Sequence, residues 1–301
     1  MSAQSDSSEI PALSVRKILE QGIRLLAESG IEDPQVDVEL LVGHVLGASR
    51  GQVQAMAITE RELSVLDAAL IGEALARRAA REPLQHISGV AYFRALELKV
   101  GPGVFVPRPE TEFVAGLAID ALASFVLGGS ENKGPIGIDL GTGSGAIALA
   151  MATEVPHARV IAVENSEAAF VWTRQNFESV NAENARLIFT DLAVAVPELD
   201  GQVSVVISNP PYIPLGAIPR DPEVRLFDPE HALYGGVDGL EIVRQVSQTG
   251  LRLLHAGGAL ILEHGELQGL AIRELLESDG WRAAATHRDL TGRDRATTAV
   301  R

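Results

Sequence analysis

The segment Asp139-Leu140-Gly141-Thr142-Gly143-Ser144-Gly145 follows a short apolar run, Ile136–Leu140, and precedes a helical pattern at 146–153. Glycines here let the backbone turn sharply and let a ligand approach closely. The spacing is G-x-G-x-G, which differs from the dinucleotide fingerprint G-x-G-x-x-G, and no Lys-Ser/Thr pair follows as a P-loop requires. Glu164 ends the next apolar run, where a carboxylate can accept both ribose hydroxyls of an adenosine.

These features favour an adenosine-containing cofactor that lacks a pyrophosphate, and S-adenosylmethionine is the obvious candidate. An acidic Asp139 is better placed beside a sulfonium or ammonium group than beside phosphates, since like charges repel. The alternative is an ordinary strand-turn-helix that carries an exposed Glu164.

Apolar runs and helical patterns alternate on both sides of this segment. Short buried strands that alternate with helices are typical of a mainly parallel sheet covered on both faces, so the pattern predicts an α/β, Rossmann-like domain. Strands are predicted at 136–140, 159–164, 186–190, 203–207 and 259–263, with an antiparallel pair at 283–287 and 297–300, and helices at 110–127, 146–153, 167–180 and 240–254.

The first third of the chain has a different pattern of apolar and polar residues. We predict a disordered tail at 1–12, a small all-α domain at 13–82, a β-hairpin linker at 83–106 and the α/β domain at 107–301, interrupted by a Gly/Ser/Asn-rich break at 128–134. Three helices are expected in the all-α domain. The first has Ser14 as its cap, the second begins at Pro34, and the third opens with a capping box at Thr59 and Glu62.

Composition narrows the functional classes. The 301 residues include 25 basic and 40 acidic side chains, a formal charge of −15, which counts against sequence-independent binding to nucleic acid. With no cysteine, disulfides, thiolate metal sites and a cysteine nucleophile are excluded. The seven histidines are scattered without metal-ligand spacing, so no metal is expected. For His86, His231 and His264 we expect structural hydrogen bonding. The sequence has no signal peptide or membrane-helix pattern, and we expect a cytoplasmic monomer.

A second motif, Asn209-Pro210-Pro211-Tyr212, follows the predicted strand at 203–207. Ligands bind at the carboxyl ends of strands in such sheets. Proline carbonyls and the Asn209 side chain can accept hydrogen bonds from one planar NH₂ group, and the Tyr212 ring can stack on it. The alternative is a proline-rich turn that only ends a strand. In this position the tetrapeptide resembles the signature of S-adenosylmethionine enzymes that methylate planar nitrogens in adenine, cytosine or glutamine amides.

Further segments extend this resemblance over nearly the whole chain. They are similar to the release factor glutamine methyltransferase family, also called HemK or PrmC. The matching segments are 81–89 with Phe93, 104–112, 233–240, 262–265 with Gln268, and 288–295.

The resemblance implies a helical domain that docks the substrate, a hairpin linker and a seven-stranded class I methyltransferase domain. It implies methylation of N5 of the glutamine in the Gly-Gly-Gln motif of class I peptide chain release factors, which supports translation termination. By position, the catalytic and substrate-binding residues would be Asn209, Pro210, Pro211 and Tyr212. The cofactor would contact Phe105, Asp139, Gly141, Thr142, Gly143, Ser144, Gly145, Glu164, Asp191, Leu192 and Asn209.

One position departs from the family. Leu192 stands where the family often has an aromatic residue near the adenine, so it would offer only apolar contact. The acidic run at 221–230 is expected to be a solvated lid, or alternatively a surface that contacts a basic release factor. Two other functions stay open at this point: an adenine-N6 methyltransferase acting on nucleic acid, and a non-catalytic cofactor-binding or adaptor protein.

Overall fold

The computed structural model describes residues 13–125 and 134–301 of the chain. The chain divides into two compact units, and the division falls between Ser88 and Gly89. The predicted tail at 1–12 and most of the break at 128–134 lie outside the described residues. Among the helices of the described ranges, none combines the length and the apolar content needed to cross a bilayer.

The first unit consists of helices around one apolar core. Their buried side chains include Val15, Leu26, Leu41 and Ile71. The predicted cap at Ser14 is confirmed, because its hydroxyl accepts from the amide of Lys17. The helices are α1 (Val15–Glu28), α2 (Pro34–Leu46), α3 (Arg50–Ile58), α4 (Val65–Ala79) and the short α5 (Leu84–Ser88).

The capping box predicted at Thr59 and Glu62 is wrong. Thr59 is the C-terminal cap of α3, and its hydroxyl donates to carbonyls of the preceding turn. The capping side chain of α4 is Ser64, whereas a capping box forms at the start of α3 between Ser49 and Gln52. The sequence pattern does not reveal α3, because a nine-residue helix with one buried side chain has only a weak amphipathic signal.

The second unit begins with the predicted hairpin and continues into a seven-stranded sheet. The hairpin joins β1 (Val90–Phe93) to β2 (Leu96–Lys99). The sheet strands are β3 (Ile136–Leu140), β4 (Arg159–Glu164), β5 (Ala185–Phe189), β6 (Val203–Ser208), β7 (Leu254–Glu263), β8 (Arg282–Arg288) and β9 (Asp294–Val300). The helices are α6 (Pro109–Ser124), α7 (Ala146–Glu154), α8 (Glu167–Val180), α9 (Pro222–Phe227), α10 (Glu230–Leu233), α11 (Glu241–Leu253) and α12 (Gly269–Asp279).

The sheet has the strand order β5-β4-β3-β6-β7-β9-β8. Its first five strands run parallel, and β8 and β9 complete it as the predicted antiparallel pair. Residues of α6 and α7 belong to one apolar cluster against the sheet, and residues of α11 and α12 belong to the other. The predicted α/β, Rossmann-like class is therefore confirmed. The order reverses between β3 and β6, which is where such sheets bind ligands.

Asn176, within α8, ties the hairpin to the glycine segment after β3. Its Oδ1 accepts from the backbone nitrogen of Lys99 at 2.7 Å. Its Nδ2 donates to the carbonyl of Lys99 at 3.0 Å and to that of Ser144 at 2.9 Å. Because this side chain is fully buried, water cannot replace these hydrogen bonds.

Replacing Asn176 tests whether it links the hairpin to the glycine segment. We expect Asn176→Ala to lower the free energy of unfolding by about 2–4 kcal/mol, since several buried backbone groups lose their partner. Urea denaturation measures the change. The matched control, Ser179→Ala on the exposed side of α8, should change it by less than about 0.5 kcal/mol. Equal effects of the two substitutions would contradict a specific role for Asn176.

Candidate functional site

A cavity of about 1110 Å³ opens at the carboxyl edge of the sheet, beside the point where the strand order reverses. Segments that follow four neighbouring parallel strands line it, because parallel strands bring their carboxyl ends to one edge. These wall segments are 140–144 after β3, 164–165 after β4, 191–192 after β5 and 208–214 after β6. The structure thus brings both sequence motifs into one cavity.

The glycines of the loop after β3 serve two purposes. Gly141 and Gly143 have φ angles of +74° and +58°, and a Cβ built on either would meet nothing within 4 Å. Their backbone therefore faces open space, and Thr142 and Ser144 also line the cavity. Gly145 is different: a Cβ there would lie 3.1 Å from side chains of α8, and the residue does not line the cavity.

Glu164 supports this loop from the neighbouring strand. Its Oε2 accepts from the backbone nitrogen of Gly143 at 2.8 Å. Its Oε1 accepts from the nitrogens of Asn165 at 3.1 Å and Ser166 at 2.8 Å. The side chain is buried but lines the cavity, and a carboxylate has about four lone-pair sites, so it keeps capacity to accept from a bound hydroxyl.

Asp139 lies behind the loop and does not line the cavity. Its Oδ2 accepts from the Thr142 hydroxyl at 2.6 Å and from the nitrogen of Ala148 at 3.2 Å. Its Oδ1 is buried without a hydrogen-bond partner among the described residues. Burial, which disfavours the charged form, raises the pKa of this carboxyl to about 7. The structure therefore places Asp139 as a support of the loop.

The far wall of the cavity follows β5. Asp191 accepts from the nitrogen of Ala193 at 2.8 Å and so caps a short 3₁₀ turn, Leu192–Val194. Leu192 packs against the apolar cluster beneath and also lines the cavity. The contact available at this position is therefore aliphatic.

Phe105 contributes to the wall from the segment that precedes α6. The guanidinium of Arg108 lies 5.0 Å from the centre of its ring. Arg108 in turn donates to Asp228 at 2.6 Å. This arrangement joins two segments of the cavity wall that are far apart in sequence.

The acidic run at 221–230 was expected to be solvated. This expectation is wrong for two of its residues, which are buried. It contains α9, in which Glu223 is buried, and Asp228 has a fully buried side chain paired with Arg108. The sequence could not show this, because the partner lies 120 residues away.

Asn209, Pro210, Pro211 and Tyr212 all line the cavity directly after β6. The Asn209 Nδ2 lies 3.5 Å from the Thr111 hydroxyl. Pro210 is buried, and its carbonyl accepts no hydrogen bond from the described residues. The Pro211 carbonyl packs against Gly235, where any side chain would overlap it. The Asn209 side-chain carbonyl likewise accepts no hydrogen bond from the described residues, so it and the Pro210 carbonyl are available as acceptors for a ligand.

Two segments quoted above for the resemblance hold the backbone of this tetrapeptide. Ile213 and Tyr234 form a parallel bridge, in which the Ile213 nitrogen donates to the Leu233 carbonyl at 2.9 Å and the Gly235 nitrogen donates to the Ile213 carbonyl at 2.9 Å. Gly239, with φ of +75°, leaves no room for a side chain beside the Tyr212 carbonyl. The Gln268 Nε2 donates to that carbonyl at 2.9 Å. Sequence reasoning assigned no role to these residues, although two glycines and a Gln in motif segments were the available signal.

Two further residues near the site have defined partners. Arg295 lines the cavity, and its Nε donates to Asp289 at 3.2 Å. His264 is buried with its Nε2 2.9 Å from the Thr297 hydroxyl, and burial lowers its pKa, so the structural role expected for it is confirmed. Within 13–125 and 134–301, no three acidic or histidine side chains form a group that could hold a metal ion.

The raised pKa of Asp139 predicts a pH dependence of stability. Between about pH 4 and pH 7 the folded protein keeps a proton that the unfolded chain releases, so the free energy of unfolding falls as pH rises. Asp139→Asn should remove this contribution. As pH rises across this window, the free energy of unfolding of the variant should increase relative to that of wild type by up to about 1.4 kcal/mol per pH unit.

Denaturation at several pH values measures that difference. Asp120→Asn, at an exposed position of α6, is the matched control and should keep the wild-type slope. Parallel pH curves for wild type and Asp139→Asn would contradict the raised pKa.

Comparison with known proteins places these features in a family. The family described as PrmC N-terminal domain matches residues 17–89, and the one described as methyltransferase small domain matches 119–219. The hMettl16 catalytic domain, solved with a 3′UTR hairpin, has a TM-score of 0.53 at 15% identity and covers 76% of this chain and 82% of its own. At that identity, the likeness concerns the fold alone.

Curated relatives agree over nearly the whole length. The release factor glutamine methyltransferase of Streptomyces coelicolor is 47% identical, covering 93% of this chain and 95% of the relative. That of Bifidobacterium longum is 42% identical, covering 95% and 99%. A 4-amino-L-phenylalanine/4-methylamino-L-phenylalanine methyltransferase of Streptomyces pristinaespiralis is 41% identical, covering 75% of each chain. With near-complete coverage and both domain matches, this chain belongs to the release factor glutamine methyltransferase family.

Proposed function

We propose that this enzyme transfers a methyl group from S-adenosylmethionine to the side-chain nitrogen N5 of the glutamine in the Gly-Gly-Gln motif of class I release factors. The observation that carries the proposal is the common cavity, in which the acceptors of Asn209 and Pro210 adjoin the glycine loop. Family membership supports the same reaction and substrate.

The residues on the cofactor side of the cavity fit S-adenosylmethionine. The open backbone of Gly141 and Gly143 gives room for close approach, and Glu164 offers acceptors for ribose hydroxyls. Asp191 and Leu192 would flank the adenine, with apolar contact from Leu192. When bound, the cofactor supplies a methyl group activated by its sulfonium sulfur.

On the substrate side, the task of the protein is alignment. A glutamine amide nitrogen is a poor nucleophile, because its lone pair is delocalised into the carbonyl. The Asn209 side-chain carbonyl and the Pro210 carbonyl can accept the two N–H groups and so fix the direction of the nitrogen. The same acceptors stabilise positive charge that develops on that nitrogen, and the excess proton leaves to water. The Tyr212 ring stacks on the flat amide.

The helical domain, proposed at 13–82, docks the release factor. The match of residues 17–89 to the PrmC N-terminal domain supports a separate helical domain with this role. The excess of acidic over basic side chains disfavours direct contact with nucleic acid. The alternative hypothesis of an adenine-N6 methyltransferase is therefore not favoured. We further propose that the enzyme acts as a cytoplasmic monomer without a metal.

A second candidate substrate has one specific observation in its favour. The relative from Streptomyces pristinaespiralis is named for methylation of 4-amino-L-phenylalanine, and it shares 41% identity with this chain. An aromatic amine is also a flat NH₂ group, so it could use the acceptors of Asn209 and Pro210.

The test offers the purified enzyme and S-adenosylmethionine three substrates: a class I release factor, 4-amino-L-phenylalanine and DNA or RNA. We expect mass spectrometry to find one added methyl group on the glutamine of the Gly-Gly-Gln peptide. Methylation of the amino acid or of nucleic acid with none on the release factor would overturn the proposal.

Asn209→Ala tests the alignment role. We expect turnover to fall by about 100- to 1,000-fold, as for the loss of one preorganised polar group, with affinity for the product thioether changed much less. Single-turnover kinetics and calorimetry measure the two quantities. The control is Gln202→Ala, which should turn over normally. Gln202 is exposed and lies just before β6, at the end of the strand away from Asn209. Near-normal turnover of Asn209→Ala would refute the role.

A further inference from the structure

Glu263 is a buried carboxyl group that the reaction described above does not use. It ends β7, the parallel neighbour of β6, and the register pairs Ser208 with Leu262. The next residues along the two strands, Asn209 and Glu263, therefore lie side by side. Glu263 is 1% exposed and does not line the cavity, so it stands directly behind the wall that Asn209 forms.

The carboxyl group adjoins two potential donors, the hydroxyl of Thr111 and the side-chain amide of Asn209, and both hold its pKa lower than burial alone would. Thr111 lies in the first turn of α6, is itself buried, and is 3.5 Å from the Asn209 Nδ2. Glu263 Oε2 has no partner among the described residues. The nearby guanidinium of Arg295 is paired with Asp289. Glu263, Thr111 and Asn209 thus form a small cluster of adjoining polar side chains behind the cavity wall.

This cluster has a consequence for the amide of Asn209. The two ends of a side-chain amide are similar in size, so only hydrogen bonds decide which one faces a ligand. A carboxylate only accepts, and it therefore draws the NH₂ end of Asn209 toward the interior. The carbonyl end is left for the cavity, where an acceptor for a substrate NH₂ is needed.

We propose that Glu263, together with Thr111, is a positioning residue that fixes the Asn209 amide with its carbonyl toward the substrate. The proposal rests on the proposed function, because it assigns Asn209 the task of accepting a substrate N–H. Burial raises the pKa of Glu263 to about 7, against the hydrogen bond from Thr111 and the charge of Arg295. Near neutral pH a substantial share of the carboxyl groups is therefore ionised and able to accept from both partners.

Glu263→Gln tests the proposal, because it keeps the size of the side chain but adds a competing donor. We expect turnover of release factor to fall by about 10- to 100-fold, in the range of coupled neighbouring residues. The KM for S-adenosylmethionine and the melting temperature should stay close to wild type. Glu277→Gln, on the exposed surface of α12, is the matched control and should leave turnover unchanged.

A double-mutant cycle separates positioning from a general structural effect. If Glu263 acts through Asn209, adding Glu263→Gln to the Asn209→Ala background should cause little further loss of turnover. An equal loss in both backgrounds, or unchanged turnover of the single variant, would overturn the proposal. Thr111→Val should lower turnover in the same way, while Thr111→Ser, which keeps the hydroxyl, should restore it.

The same measurements distinguish this inference from the proposed function. Wild-type enzyme that fails to methylate the release factor would refute the function itself. Wild-type enzyme that methylates it while Glu263→Gln and Thr111→Val are equally active would refute only the positioning role.

Discussion

The site depends on the parallel register of five strands, β3 to β7. Because neighbouring parallel strands end at one edge, the segments that follow β3, β4, β5 and β6 meet around one cavity although they span more than 70 residues of sequence. The same register places Glu263 beside Asn209. Shifting the pairing of one strand by one residue would turn every side chain of that strand to the other face of the sheet and separate these groups.

Close packing of backbone then makes the cavity walls rigid. Gly145 admits α8 against the loop after β3, and Gly235 and Gly239 admit a second segment against the Asn-Pro-Pro-Tyr backbone. The Glu164 carboxylate, which accepts from Gly143, and the Gln268 amide, which donates to Tyr212, secure the two walls from neighbouring segments. Rigid walls suit a reaction in which the protein mainly aligns a weak nucleophile, because misplacement by an ångström is costly.

Buried acidic side chains surround the site, and local sequence patterns do not predict that these side chains are buried. Asp139 and Asp228 were expected at a ligand and in a solvated run, but the first supports the loop and the second pairs with Arg108 from another segment. Exposure depends on which distant elements pack nearby, so no local pattern reveals it. The short α3 and the C-terminal α12 escaped prediction for a related reason, since packing from elsewhere stabilises helices with weak periodicity.

The sequence alone determined the α/β class, the strands at 136–140 and 159–164, the hairpin and the two motifs, because alternating apolar runs, turn glycines and prolines act locally. The resemblance carried by its motif segments led to the family that the comparisons bear out. Only the tertiary structure decided that Gly235 packs against the Pro211 carbonyl, that Asp139 stands behind the loop, and that Glu263 and Thr111 lie beside Asn209. These are relations between side chains and backbone brought together from distant segments, and the spacing along a chain does not encode them.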